Sequence, residues 1–158
     1  MDLREKLPNI LVIGYGNDLR SDDGVGQRVA NAVATWGMPQ VRSLAVVQLT
    51  PELAESLNSC KFVVFVDAYG ASEKICAVQV HPLKPLDTGN FLLGHTSEPR
   101  SLLALTQALY NYYPRAWLVT IPAVNFELGE TISAIAQQGL ATALTQISIL
   151  IEGFTLSP

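Results

Sequence analysis

Residues 10–26 read ILVIGYGNDLRSDDGVG, and the fold turns on how this stretch is read. Four apolar residues, Ile10 to Ile13, run unbroken into Gly14-Tyr15-Gly16, as expected of a strand covered on both faces, which we place at Asn9 to Gly14. A polar turn then carries two adjacent carboxylates, Asp22 and Asp23, into a pattern of helical period. Val25, Val29, Val33 and Trp36 recur on one face, so a helix is expected from the acids to about Trp36, ended by Gly37 and Pro39. A strand that delivers acids to the mouth of a helix suits a nucleotide site or a metal site, and the rest of the chain must decide between them.

The nucleotide reading fits poorly. A dinucleotide turn wants GxGxxG and an acid at the end of the next strand. Here the third glycine position holds Leu19, and strand two runs out through Val46-Val47-Gln48-Leu49. The paired acids would also repel a pyrophosphate. There is no Walker loop and no GxSxG elbow, so no nucleotide cofactor and no serine nucleophile are expected. Cys60 and Cys76 lack CxxC spacing and read as buried reduced thiols.

Strand two is expected over Val41 to Val47, and Thr50-Pro51-Glu52 starts a short helix reaching Asn58. Strand three, Phe62 to Val66, reads FVVFV and has Asp67 at its carboxyl end. Strand four, Ile75 to His81, follows too soon for a parallel return, which needs about a dozen residues or more, so it should run antiparallel at an edge. An irregular stretch, Pro82 to Gly94, leads to a helix over Ser97 to Tyr112 with Leu102, Leu105, Leu109 and Tyr112 on one face. Strand five, Ala116 to Ile121, stops at Pro122, and a turn at Asn125 to Gly129 opens the last helix. That helix, Glu130 to Glu152, is expected to bury Ile132, Ile135, Leu140, Ala143, Ile147 and Leu150 and to end at Gly153. The implied architecture is α/β and three-layer: a five-stranded, mostly parallel sheet with one antiparallel strand and helices on both faces.

The bulk properties agree. A chain of 158 residues suits one domain spanning 1–158, and 49% apolar residues supply a core. A net charge of −4 with scattered basic residues argues against a nucleic-acid partner. No apolar run approaches ~18 residues, and MDLREKLPN lacks a signal-peptide core, so a cytoplasmic protein without a membrane partner is expected. The apolar helix faces are accounted for by the core, which makes a monomer the expectation.

Open α/β sheets bind ligands beyond the carboxyl ends of their strands. Asp22 and Asp23 follow that end of strand one, and Asp67 stands at that end of strand three. His81, closing an antiparallel strand, should lie at the opposite end. His95 precedes a helix that must descend from the acids' end, so Asp23, Asp67 and His95 should converge. Two carboxylates and an imidazole suit a divalent transition metal with open positions. Plainer readings stand beside this one: Asp22 as a helix cap, Asp23 as a first-turn acid, Asp67 as the start of a turn, His95 as a solvated loop residue.

The segment GYGNDLRSDDGVG resembles the N-terminal signature of the hydrogenase maturation endopeptidases, and VVFVDA at residues 63–68 and a loop histidine before a helix extend the likeness. The resemblance implies an endopeptidase that removes a C-terminal extension from the nickel-loaded large-subunit precursor of a [NiFe] hydrogenase. It implies metal positions at Asp23, Asp67 and His95, acting on nickel carried by the substrate; Asn17 and Asp22, in the same turn, are the candidates for contacts to that substrate. Many members have Glu at the first position, so Asp23 is a shorter ligand of the same charge. One departure stands out. Where many members have an Asp-Gly-Gly-Thr-like segment after strand two, this chain has Val47-Gln48-Leu49-Thr50. That departure leaves open an alternative, a non-cleaving, metal-sensing binder of the large subunit on the same fold.

Overall fold

The computed structural model describes residues 9–87 and 98–156. His95 and the expected start of the third helix at Ser97 lie outside them. The described residues form one sheet in the order β2-β1-β3-β5-β4. Its strands are β1 (Ile10–Tyr15), β2 (Val41–Val46), β3 (Phe62–Gly70), β4 (Gln79–Leu83) and β5 (Arg115–Ala123). All pairings are parallel except β4 with β5, so the mixed sheet expected from the sequence is the one observed.

Alternation along the strands sends side chains to two cores. Ile10, Val12, Val64, Val66, Val119 and Ile121 face α1 (Val25–Ala34) and α4 (Ala134–Leu156). Leu11, Ile13, Tyr15, Val63 and Phe65 face α2 (Leu53–Asn58) and α3 (Pro99–Tyr110). Helices therefore cover both faces, which is why β1 and β3 read as unbroken apolar runs.

The departures from expectation have local causes. β3 continues through Asp67 to Gly70 because β5 runs beside it as far as Ala123. Pro122 lies inside β5 instead of ending it; the ladder with β4 starts only at Thr120, so its missing N–H faces an unpaired edge. β4 begins at Gln79, four residues later than expected, which puts exposed His81 opposite Leu118 in mid-sheet and not at the far end. Cys76 is exposed in the bend before β4, contrary to the expected buried thiol, whereas Cys60 is buried and its thiol is pushed up to about 12 by burial.

The last helix is also displaced. It starts at Ala134, after Ser133, whose hydroxyl accepts the Ala136 N–H at 3.1 Å, and it continues past Gly153 to Leu156. Phe154 holds that end by stacking on Phe62, with centroids 4.3 Å apart and planes 5° from parallel. The buried face is Ala136, Gly139, Ala143, Ile147, Ile151 and Phe154. Gly139 permits close approach, since a Cβ there would lie 2.8 Å from Ile121 Cγ2. With 23 residues and a mean hydropathy of 1.4, α4 is long and apolar enough to cross a bilayer by length and composition alone; here one face packs on the sheet.

Candidate functional site

After Tyr15 the chain leaves the sheet. The Gly16 N–H reaches the Val46 and Val47 carbonyls at 3.2 and 3.1 Å, turning the chain toward β2 and away from β3. It then doubles back through a 3-10 turn, Ser21–Gly24, into α1. Only glycines allow this fold-back. A Cβ on Gly14 would lie 1.8 Å from the Gly26 carbonyl oxygen, and one on Gly16, at φ +143°, would lie 2.0 Å from that of Asp23. Ser21 takes a left-handed backbone at φ +53°, held by its N–H on the Gly129 carbonyl (2.8 Å) and its hydroxyl on the Glu127 carbonyl (2.7 Å).

The two adjacent acids in this turn part company. Asp22 is fully buried, and its carboxylate does not cap its own helix as expected. Oδ1 accepts the Ser133 N–H at 2.7 Å; Oδ2 accepts the Ser133 hydroxyl at 2.7 Å and the N–H groups of Val124 and Asn125 at 2.9 and 3.0 Å. Burial alone would raise its pKa, but these bonds outweigh burial and hold the carboxyl below its ordinary value. Asp22 is thus a tether between the β1 turn, the end of β5 and the start of α4. Its carboxylate is fully buried in that role.

Asp23 points the other way and is half-buried. Its Oδ2 accepts the Asn17 backbone N–H at 2.8 Å. The Asn17 side-chain oxygen in turn accepts the Leu19 N–H at 3.0 Å, which shapes the turn.

Asp67 stands on β3 one residue beyond the last pair with β1, Gly14 with Val66. Its Oδ1 folds back onto the Ala68 N–H at 2.8 Å. The Tyr15 phenol donates to the same carboxylate. Burial pushes the Asp67 carboxyl up to about 6; the Ala68 and Tyr15 hydrogen bonds pull it down, and the negative charge of Asp23 adds to the rise. The Tyr15 hydroxyl is pushed well above its ordinary range by burial, by the charge of Asp67 and its hydrogen bond, and by the charge of Glu98. Glu98 immediately precedes α3, so the beginning of that helix lies at this end of the sheet.

The structure therefore brings Asp23 and Asp67 together, separates Asp22 from them, and leaves His95 outside the described residues. Among the described residues no three His, Cys, Asp or Glu side chains form a metal cluster. The charge of Asp23 bears on the Asp67 carboxylate, which places the two acids at one end of the sheet. Tyr15 is a site residue that the sequence reading passed over. A phenol ending an otherwise aliphatic strand between two glycines was the available signal.

No protein-family model and no curated protein sequence matches the chain. Solved structures do. The [NiFe] hydrogenase maturation protease HybD from Thermococcus kodakarensis is 21% identical, with a TM-score of 0.65 over 90% of this chain and 98% of its own. The hydrogenase maturating endopeptidase HybD from E. coli is 18% identical, with a TM-score of 0.70 over 92% of this chain and 93% of its own. The [NiFe] hydrogenase maturation protease HycI from Thermococcus kodakarensis KOD1 is 21% identical, with a TM-score of 0.68 over 92% and 93%. With the glycine-lined turn, the paired acids and the mixed sheet all in place, the chain has the fold of the [NiFe] hydrogenase maturation proteases.

Proposed function

We propose that the protein is an endopeptidase that removes a C-terminal extension from the nickel-loaded large-subunit precursor of a [NiFe] hydrogenase. The observation that carries this reading is the pairing of Asp23 with Asp67 at the carboxyl end of the sheet, in a fold shared with hydrogenase maturation proteases. Nickel arrives with the substrate. Asp23 and Asp67, with His95 as the third donor that the family resemblance implies, fill its open positions, so a precursor without metal docks poorly. Nickel held there would supply Lewis-acid chemistry at the scissile carbonyl or an activated water. Tyr15 holds the Asp67 carboxylate in place, and the Asn17 N–H holds that of Asp23.

A protein substrate also suits the surroundings. Leu19, Phe126 and Leu128 are exposed on the two segments that pair beside the acids, through Gly129 N–H to Leu19 carbonyl at 2.9 Å. The same reading places the protein in the cytoplasm as a monomer, without a nucleotide.

The test is co-expression with a hydrogenase large-subunit precursor and nickel, followed by the mass of the precursor's C-terminus. The expected result is a lost C-terminal peptide, with processing abolished by Asp23→Asn and by His95→Ala in proteins that stay folded. An intact tail in the presence of wild type sinks the protease reading. A stable complex with the tail intact would instead select the non-cleaving binder. That second reading is favoured by one observation: in Val47-Gln48-Leu49-Thr50, Leu49 is buried in the core and Val47 is exposed, so no acid or glycine pair stands there.

A further inference from the structure

We propose that the substrate's polypeptide adds to the sheet as an extra strand along the open edge of β3 at residues 68–70. This rests on the endopeptidase reading and specifies how that site holds its chain.

β1 pairs with β3 only as far as Gly14 with Val66, whereas β5 accompanies β3 to Gly70 with Ala123. Among the described residues, 67–70 therefore have a paired strand on one side only. Backbone groups alternate between the two sides of a strand. The Phe62 N–H bonds the Asn9 carbonyl on the β1 side, and at the far end of the strand the Ala71 N–H bonds the Ala123 carbonyl on the β5 side. Even-numbered residues thus face the β1 side, and this parity assigns Ala68 and Gly70 to the open edge.

The Ala68 N–H is taken by Asp67 Oδ1. The Ala68 carbonyl and both backbone groups of Gly70 have no partner among the described residues. Gly70 is exposed, and no atom lies within 4 Å of where its Cβ would be. The chain leaving β1 turns toward β2 at Gly16, so it does not fill this edge.

A row of unpaired N–H and C=O groups recognises extended backbone whatever its sequence, which is the chemistry of strand addition. An edge of three residues is too short to invite sheet-to-sheet aggregation. It starts beside the Asp67 carboxylate, so a chain paired there runs directly past the acid pair. The occupant is the extended C-terminal segment of a protein substrate.

Two variants of Gly70 differ in the one group that matters. Gly70→Pro deletes the edge N–H and fills the edge with a ring, and the β5 ladder, which uses odd-numbered residues, loses no bond. Gly70→Ala keeps the N–H. With co-expressed large-subunit precursor, processing by Gly70→Pro is expected to fall about tenfold below that by Gly70→Ala, the worth of one hydrogen bond. In wild type, hydrogen–deuterium exchange of peptides covering residues 67–71 is expected to slow when the precursor is added; this measurement decides alone if Gly70→Pro does not fold. Equal processing by the two variants, or unchanged exchange at 67–71 in a wild type that cleaves, overturns the strand addition and leaves the endopeptidase reading standing. Slowed exchange without cleavage supports the strand addition and removes the endopeptidase. No cleavage and no slowing overturns both.

Discussion

Asp22 and Asp67 are two buried or half-buried carboxylates at the same end of one sheet, and their surroundings treat them in opposite ways. Asp22 receives four hydrogen bonds from three residues, and its carboxyl is held below the ordinary value. Asp67 receives one backbone N–H and one phenol, faces a second acid, and is pushed up to about 6. A saturated buried charge fastens the fold and has nothing left to bind. An under-satisfied one beside a like charge stores unfavourable energy that a positively charged ligand releases. Asp23, the next letter in the sequence, takes no part in the Asp22 tether and accepts the Asn17 N–H instead.

The largest expected effect falls on the tether. Asp22→Ala strands the N–H groups of Val124, Asn125 and Ser133 without an acceptor and should cost about 4 kcal/mol in urea unfolding. A cost below about 1 kcal/mol would break the contrast, because Asp22 would then be no anchor.

The next effect has the opposite sign. A carboxyl whose pKa is raised by folding favours the folded state below its unfolded value of about 4 and loses that contribution as pH rises through about 6. Ionised Asp67 is thus a burden on the fold at pH 8. Asp67→Asn should be about 2 kcal/mol more stable than wild type at pH 8, with the gap closing by pH 4, while processing is lost. Urea midpoints at the two pH values read this directly; a variant weaker than wild type at pH 8 contradicts it. The smallest effect sharpens the anchor. Ser133→Ala removes one of the four bonds to Asp22 and the cap on Ala136, and should cost about 1–2 kcal/mol by the same measurement.

Much of this layout was legible in the chain. β1 and β3 announce themselves as unbroken apolar runs because both faces are covered, and the short link to β4 forces the antiparallel edge. Parallel order then sends Asp23 and Asp67 to one end. The contents of Asp22's shell were not legible, because its partners lie 102 to 111 residues further on and three of its four bonds come from backbone N–H groups. β4 was placed too early since its register is set by Ala116 to Thr120 on β5 and not by its own apolar pattern. Gly153 looked like a helix stop, but the stacking of Phe154 on Phe62 carries the helix past it.

The span of the Asp22 tether has a consequence for biogenesis. Closing a loop of over a hundred residues is entropically costly and slow, so its contacts form after local helices and neighbouring strands. The turn bearing Asp23 has no support for Ser21 or Asp22 until Val124 to Ser133 have emerged and docked. A growing or truncated chain that has already built β1 and β3 thus lacks the ordered turn at Asp22 and Asp23, and the final placement of the acids becomes a property of the finished molecule alone.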